Sequence, residues 1–135
     1  MIVEEATKLK NGNFIGLPFT ENSANIILLP VPWDVTVSYG EGTAFAPLAI
    51  LESSVQLDLF DADVKDAWKQ GIFMQSLNEN ILADRDEIRL LAVKYIDFLE
   101  NGGNVATNAE MKSMLEIINN RCEELNNWVY RQSKS

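Results

Sequence analysis

The run "ANIILLPV", residues 24–31, decides the fold class of this 135-residue chain. Apart from Asn25 it is apolar, it is rich in branched side chains, and it is followed closely by a second proline, Pro32. A run without polar alternation is typical of a strand that is buried on both faces, because neither face meets water. Strands of this kind belong to α/β sheets, so the sequence predicts an α/β protein.

The residues that follow this strand form an elaborate loop before the next element. Residues 30–43, "PVPWDVTVSYGEGT", combine two prolines, glycines and hydroxyl-bearing side chains with Asp34, which we expect to be exposed. Pro47 then suits the first position of a short helix, "PLAILESS". Loops of this composition between a strand and a helix often carry function, so this loop is a candidate site.

The middle of the chain contains two further strand patterns and one long helix. "VQLDLF", residues 55–60, alternates apolar and polar residues and predicts a strand with one covered face. "GIFMQSL", residues 71–77, predicts another short strand. Asp84 and Glu87 resemble an N-cap pair, and Gly102 supplies a C-terminal stop. The apolar face of this helix consists of Ile88, Leu91, Ala92, Tyr95, Phe98 and Leu99.

A second long helix follows, launched by a capping box at Thr107 and Glu110. Its apolar residues keep helical spacing throughout: Met111, Met114, Leu115, Ile118, Cys122, Leu125 and Val129. Residues 1–24 are polar and broken by glycine and proline, and they predict an extended N-terminal arm before an α/β domain at residues 25–135. A few parallel strands and two long helices make an incomplete sheet architecture.

Composition excludes several classes of function. The net charge of −9 disfavours nucleic-acid and anionic-membrane partners, which need a basic surface. No apolar run approaches the roughly 20 residues of a membrane span, and no signal peptide is recognisable. The single cysteine, Cys122, fits a reducing cytoplasm. The absence of histidine excludes Ser-His-Asp and Cys-His nucleophile systems built from this chain alone.

Two motifs invite a ligand-binding interpretation, and each has a plainer alternative. "YGEGT", residues 39–43, suggests a phosphate cradle, but its spacing and acidic Glu41 favour a tight loop that needs positive φ. Asp61, Asp63 and Asp66 spell D-x-D-x-x-D, which could hold a hard cation, although a solvated acidic turn is the simpler interpretation. The aromatic residues Trp33, Phe45, Trp68 and Trp128, and the apolar-face Cys122, are expected to serve packing.

Residues 29–61 contain several short motifs in a specific order. They are Pro30-Val31-Pro32-Trp33-Asp34, Thr36, Ser38-Tyr39, Gly42-Thr43, Pro47, Ala49-Ile50 and Leu57-Asp58-Leu59-Phe60-Asp61. In this order and spacing the chain resembles the N-terminal part of the arginase/agmatinase/formimidoylglutamase (ureohydrolase) family, and bacterial agmatinase-family proteins in particular. Ala46 departs from the glycine that usually precedes Pro47 in the family pattern.

The resemblance implies a three-layer α/β/α fold, of which this chain would be an incomplete segment. It also implies a pair of manganese ions that activate a hydroxide for hydrolysis of guanidino or amidine C–N bonds. The family's metal ligands come from later histidine-containing motifs, so no metal ligand and no catalytic residue is assigned here. The resemblance implies a substrate-pocket rim at Asp34, Thr36, Ser38, Tyr39 and Thr43. Alternatively, these side chains satisfy backbone groups of the loop.

We therefore expect the N-terminal portion of a manganese-dependent ureohydrolase, cytoplasmic and inactive alone. Its partners would be the remainder of the domain or further copies of the chain. The alternative is a stand-alone, non-catalytic acidic interaction domain derived from the ureohydrolase N-terminus. A third possibility is a small acidic metal-binding protein that uses residues 58–66.

Overall fold

The computed structural model describes residues 11–134. Along the chain its elements are strand β1 (Ile26–Leu28), helix α1 (Ala46–Ser54), strand β2 (Ile72–Met74), helix α2 (Glu79–Glu100) and helix α3 (Ala109–Gln132). Residues 1–10 of the predicted arm lie outside the described residues. The protein is thus of mixed helix and strand composition with a parallel strand pair, compatible with the predicted α/β class.

The described residues divide into two compact units. The first contains residues 11–30 and Ala46–Ser76 and is called the sheet unit. The second contains Val31–Phe45 and residues 77–134 and is called the helix unit. The chain passes between the units three times, so neither is a single continuous segment.

Strands β1 and β2 pair in parallel in the sheet unit. The register places Ile26 opposite Ile72 and Leu28 opposite Met74, so both predicted strands are confirmed. The prediction that β1 is buried on both faces is wrong, since Ile26 is 42% exposed and Ile27 is 40% exposed. The sheet of the described residues has only two strands, which are too few to enclose an apolar face.

Part of the predicted arm packs inside the sheet unit. A short 3-10 turn spans Phe14–Gly16, and Ile15 and Leu17 are buried. The backbone N–H of Ile15 donates to the hydroxyl of Ser54 at 2.8 Å, which ties this turn to the last residue of α1. Residues 14–17 are therefore structural members of the unit.

The predicted strand at residues 55–60 is wrong. The chain leaves α1 in tight turns, with the N–H groups of Gln56 and Leu57 donating to carbonyls of the helix end. Leu57 and Phe60 are exposed, and no strand lies beside this segment within the described residues. Alternating polarity produces a strand only where a neighbouring strand offers hydrogen-bond partners.

The helix unit has a core in which α2 and α3 pack together. Its buried residues are Val35, Ile88, Ala92, Met111, Met114 and Ile118, and the partly buried residues against them include Trp33, Leu91, Tyr95, Phe98 and Cys122. The predicted apolar faces of both helices are confirmed by this core. Only Leu99, near the end of α2, departs from its predicted face and is exposed.

The predicted N-caps of both long helices are wrong. Helix α2 begins at Glu79, because the Asn78 side chain accepts from the N–H groups of Asn80 and Ile81. Asp84 lies inside this helix and accepts from Arg121 at 3.1 Å. Helix α3 is capped by Asn108, whose side chain accepts from the Met111 N–H, one residue beyond the predicted Thr107.

Two other predicted helix boundaries lie close to the observed ones. Helix α1 begins at Ala46, which makes Pro47 its second residue, where a missing N–H costs little. Helix α2 ends at Glu100, and Gly102 follows with φ of 80°, as expected of a glycine stop.

Candidate functional site

Residues 31–45 of the helix unit form a closed loop around Asp34, here called the Asp34 loop. Asp34 is only 4% exposed, so the expectation of an exposed carboxylate is wrong. Its Oδ2 accepts from the backbone N–H of Gly42 at 2.7 Å and from that of Ala44 at 3.3 Å. One carboxylate thus joins the start of the loop to its end, and the loop no longer depends on water to satisfy these amides.

A buried arginine from α2 completes the environment of Asp34. Arg85 Nε donates to Asp34 Oδ1 at 2.5 Å, and Nη1 donates to Asp86 at 2.8 Å. The Arg85 hydrogen bond, together with the Gly42 and Ala44 amides, lowers the pKa of Asp34 to about 2, against the opposing effect of burial. The same pair raises the pKa of Arg85. No motif predicts Arg85 as a site residue, because it lies 51 residues from Asp34 along the chain.

A second arginine, one turn further along α2, holds the middle of the loop. Arg89 Nη1 donates to the carbonyls of Val35 and Val37, both at 2.8 Å. Its Nε donates to Glu41 Oε2 at 2.9 Å, and Arg85 Nη2 lies 3.8 Å from the same oxygen. The spacing of four residues places both guanidinium groups on one helix face, where they meet a single loop.

The remaining predicted rim residues lie on the outside of the loop. Thr36, Ser38, Tyr39 and Thr43 are exposed, and the Tyr39 ring is 91% exposed. Asp34 is not among them, because it faces inward to the loop amides and Arg85. For Asp34 the alternative interpretation, a side chain that satisfies backbone groups, matches its contacts.

The glycines of "YGEGT" serve the turn. Gly40 and Gly42 have φ of 65° and 128°, which side-chain-bearing residues rarely adopt. The Gly42 N–H already donates to Asp34, so it does not point into an anion cradle. The tight-loop interpretation of this motif therefore accounts for its geometry.

The acidic segment of the sheet unit forms turns. Asp61 Oδ1 accepts from the N–H groups of Asp63 and Val64, which lowers the pKa of Asp61. Asp66 accepts from Lys69 Nζ at 2.9 Å. Within residues 11–134 no group of three or more His, Cys, Asp or Glu side chains is placed to hold a metal ion. These contacts fit a solvated acidic turn.

Cys122 and the aromatic side chains of Trp33, Phe45 and Trp68 pack in the core or lie beside a cationic side chain. Trp33 and Cys122 pack against the core of the helix unit. Phe45 is partly exposed, with its ring centroid 5.9 Å from Arg85 Cζ, and Trp68 lies beneath the Lys69 ammonium at 5.5 Å. None of the helices in the described part of the chain combines the length and apolarity of a membrane span.

The fold and the site define a mixed α/β chain in which a parallel strand precedes a loop anchored by a buried ion pair. Comparisons with protein-family models, with curated proteins and with solved structures each found no match. The resemblance to ureohydrolases therefore depends on sequence motifs alone.

Proposed function

We propose that this chain is the N-terminal part of a ureohydrolase-type, three-layer α/β/α domain, with the Asp34 loop at the mouth of its active site. The observation that carries the proposal is the loop, which directly follows the parallel strand β1 along the chain. In open α/β sheets, the segments that follow parallel strands along the chain commonly carry the ligand-binding residues. The order of the motifs in residues 30–61 supports the same assignment.

The uncovered sheet supports an incomplete domain. Parallel sheets occur almost only with both faces covered, whereas Ile26 and Ile27 of β1 keep about two fifths of their surface exposed. A two-stranded sheet alone is marginal in water. In the proposal, further strands and helices from outside this chain cover β1 and complete the three layers.

The proposed reaction needs metal ligands that this chain does not supply. It contains no histidine, and the carboxylates of Asp61 and Asp66 already accept from backbone amides and Lys69. These residues do not fit a manganese pair. The chain's own contribution would be the pocket rim, where Thr36, Ser38, Tyr39 and Thr43 face outward and Asp34 positions them from inside the loop.

The coding sequence that follows Ser135 tests this function. We expect an in-frame G-G-D-H motif, and we expect the protein made from that longer frame to release urea from agmatine or arginine when manganese is added. The same protein treated with a chelator, and the 135-residue chain with manganese, are the controls and should release none. The proposal would be refuted by a longer reading frame that lacks histidine motifs. It would also be refuted if the longer protein, loaded with manganese, hydrolysed no guanidino or amidine substrate.

A second candidate, the stand-alone interaction domain, is favoured by the apolar surface of the sheet unit. Its exposed large side chains are Ile26, Ile27, Leu48, Ile50, Val55, Leu57, Phe60 and Val64. A unit that exposes this many large apolar side chains is typical of interaction domains as well as of unfinished domains. Size-exclusion chromatography with light scattering separates the two. A stable oligomer of defined mass supports the interaction domain, and an aggregating chain supports the ureohydrolase segment.

A further inference from the structure

Residues 38–41, here called the strap, span the outermost part of the Asp34 loop between two fixed points. On one side the Val37 carbonyl accepts from Arg89 Nη1 at 2.8 Å. On the other side the Gly42 N–H donates to Asp34 at 2.7 Å. Both fixed points depend on side chains that are buried or nearly so, since Asp34 and Arg85 form a buried pair and the Arg89 side chain is 11% exposed. These two hydrogen bonds, here called the base of the loop, therefore hold both ends of the strap in place.

The contacts of the strap itself are of a different kind. Its residues are exposed, and among the described residues its side-chain contacts to α2 come from Glu41. The Glu41 side chain is 57% exposed, and its carboxylate lies 2.9 Å from Arg89 Nε and 3.8 Å from Arg85 Nη2. Exposed ion pairs exchange with water and are weak, whereas buried pairs are strongly held. The strap is thus held to α2 by the Glu41–Arg89 ion pair, which is the weakest of the interactions that hold the loop.

The backbone on either side of Glu41 is sterically uncrowded. Gly40 and Gly42 flank it, and a Cβ added at either position would meet nothing within 4 Å. Glycine also crosses between left-handed and right-handed conformations at little cost. Opening at Glu41 therefore needs neither side-chain repacking nor the release of the fixed points.

We infer that Glu41 is a latch and that the strap opens by its release while the base of the Asp34 loop stays closed. Opening moves the Tyr39 ring and uncovers the Arg89 guanidinium. Arg85 keeps Asp34 and Asp86 as partners when the latch is open, and Arg89 keeps the Val35 and Val37 carbonyls while its guanidinium becomes exposed to water. The charge balance therefore permits the motion. This inference holds independently of the proposed function.

Backbone ¹⁵N relaxation of the full chain tests the latch. In wild type we expect order parameters for residues 38–41 near the rigid value of about 0.85, and in Glu41→Gln values below about 0.6. Hydrogen exchange of the Gly42 and Ala44 amides should stay as slow as in wild type. The matched control is Glu110→Gln, which removes a similarly exposed carboxylate paired with Lys94 at 2.6 Å outside the loop. It should leave the strap unchanged.

Two results would overturn the inference. One is a strap that stays rigid in Glu41→Gln, and the other is faster exchange at Gly42 and Ala44 in that variant, which would make strap and base one unit. A measurement on wild type removes any dependence on the variant's folding. In roughly 1 M salt, where the Debye length is about 3 Å, the order parameters of residues 38–41 should fall and the two amides should stay protected.

Discussion

Asp34 uses its two carboxylate oxygens for two different tasks. Oδ1 accepts from Arg85 of α2, and Oδ2 accepts from the amides of Gly42 and Ala44 in its own loop. A buried carboxylate is tolerated only when paired and hydrogen-bonded, and here both conditions are met. Nothing in the local sequence could predict this burial, because the residue that neutralises Asp34 is 51 positions away and belongs to a helix predicted from its apolar face.

Replacing Asp34 by Asn should destabilise the protein strongly. The change leaves the Arg85 guanidinium buried without its main partner, and breaking a buried pair costs about 3–5 kcal/mol. The free energy of unfolding, from urea denaturation followed by circular dichroism, measures the loss. Asp86→Asn is the control, since this second partner of Arg85 is 61% exposed and should contribute less than about 1 kcal/mol. Equal losses in both variants would contradict the special role of Asp34.

Asp34 also predicts an acid dependence of stability. Its pKa is about 2 in the folded protein against an ordinary value of 3.8. A lowered folded-state pKa means that the stabilisation is fully present above pH 4 and is lost as the pH falls towards 2. The amount lost is roughly 2 kcal/mol. Urea denaturation between pH 5 and 2 should show this decline, and Asp34→Asn should show a smaller one. An identical decline in both proteins would contradict it.

At the scale of the elements, the observed helix N-caps differ from those that the sequence pattern predicts. Asn108→Ala should destabilise the protein by about 1 kcal/mol, because the Asn108 side chain accepts from the Met111 N–H at the start of α3. Thr107→Ala should cost less than about 0.5 kcal/mol, since its exposed hydroxyl donates only to the Asn104 carbonyl. Thermal or urea unfolding of both variants decides the matter. A larger loss of unfolding free energy for Thr107→Ala than for Asn108→Ala would support the predicted capping box instead.

The elements that the sequence predicts well are those with a strong periodic pattern. The face of α3 contains Met111, Met114, Ile118 and Leu125, all buried, because helical spacing alone brings them to one side. The segment at residues 55–60 has an equally clear pattern but no neighbouring strand within the described residues, and pairing cannot be derived from alternation. The caps at Asn78 and Asn108 were missed because several polar residues near each helix start could serve, and only geometry selects among them.

At the scale of the whole molecule, two properties oppose each other. The sheet unit exposes apolar side chains on β1 and on the segment after α1, and these favour association. The net charge of −9 opposes the approach of a second copy through repulsion between like charges. Association of the chain should therefore depend on whether the solvent weakens the apolar attraction or the charge repulsion.

Light scattering on the purified chain measures this balance. We expect the apparent mass to rise with protein concentration, and to rise further in roughly 1 M salt, because screening removes the repulsion and leaves the apolar contact. Ile27→Lys places a charge on one of the two exposed faces of β1 and should bring the apparent mass towards that of the monomer in both solvents. Leu90→Lys is the matched control, since Leu90 is an exposed apolar residue on α2. If Leu90→Lys reduced the mass as much as Ile27→Lys, association would not proceed through the sheet. If added salt lowered the mass, ion pairs rather than the apolar surface would hold the copies together.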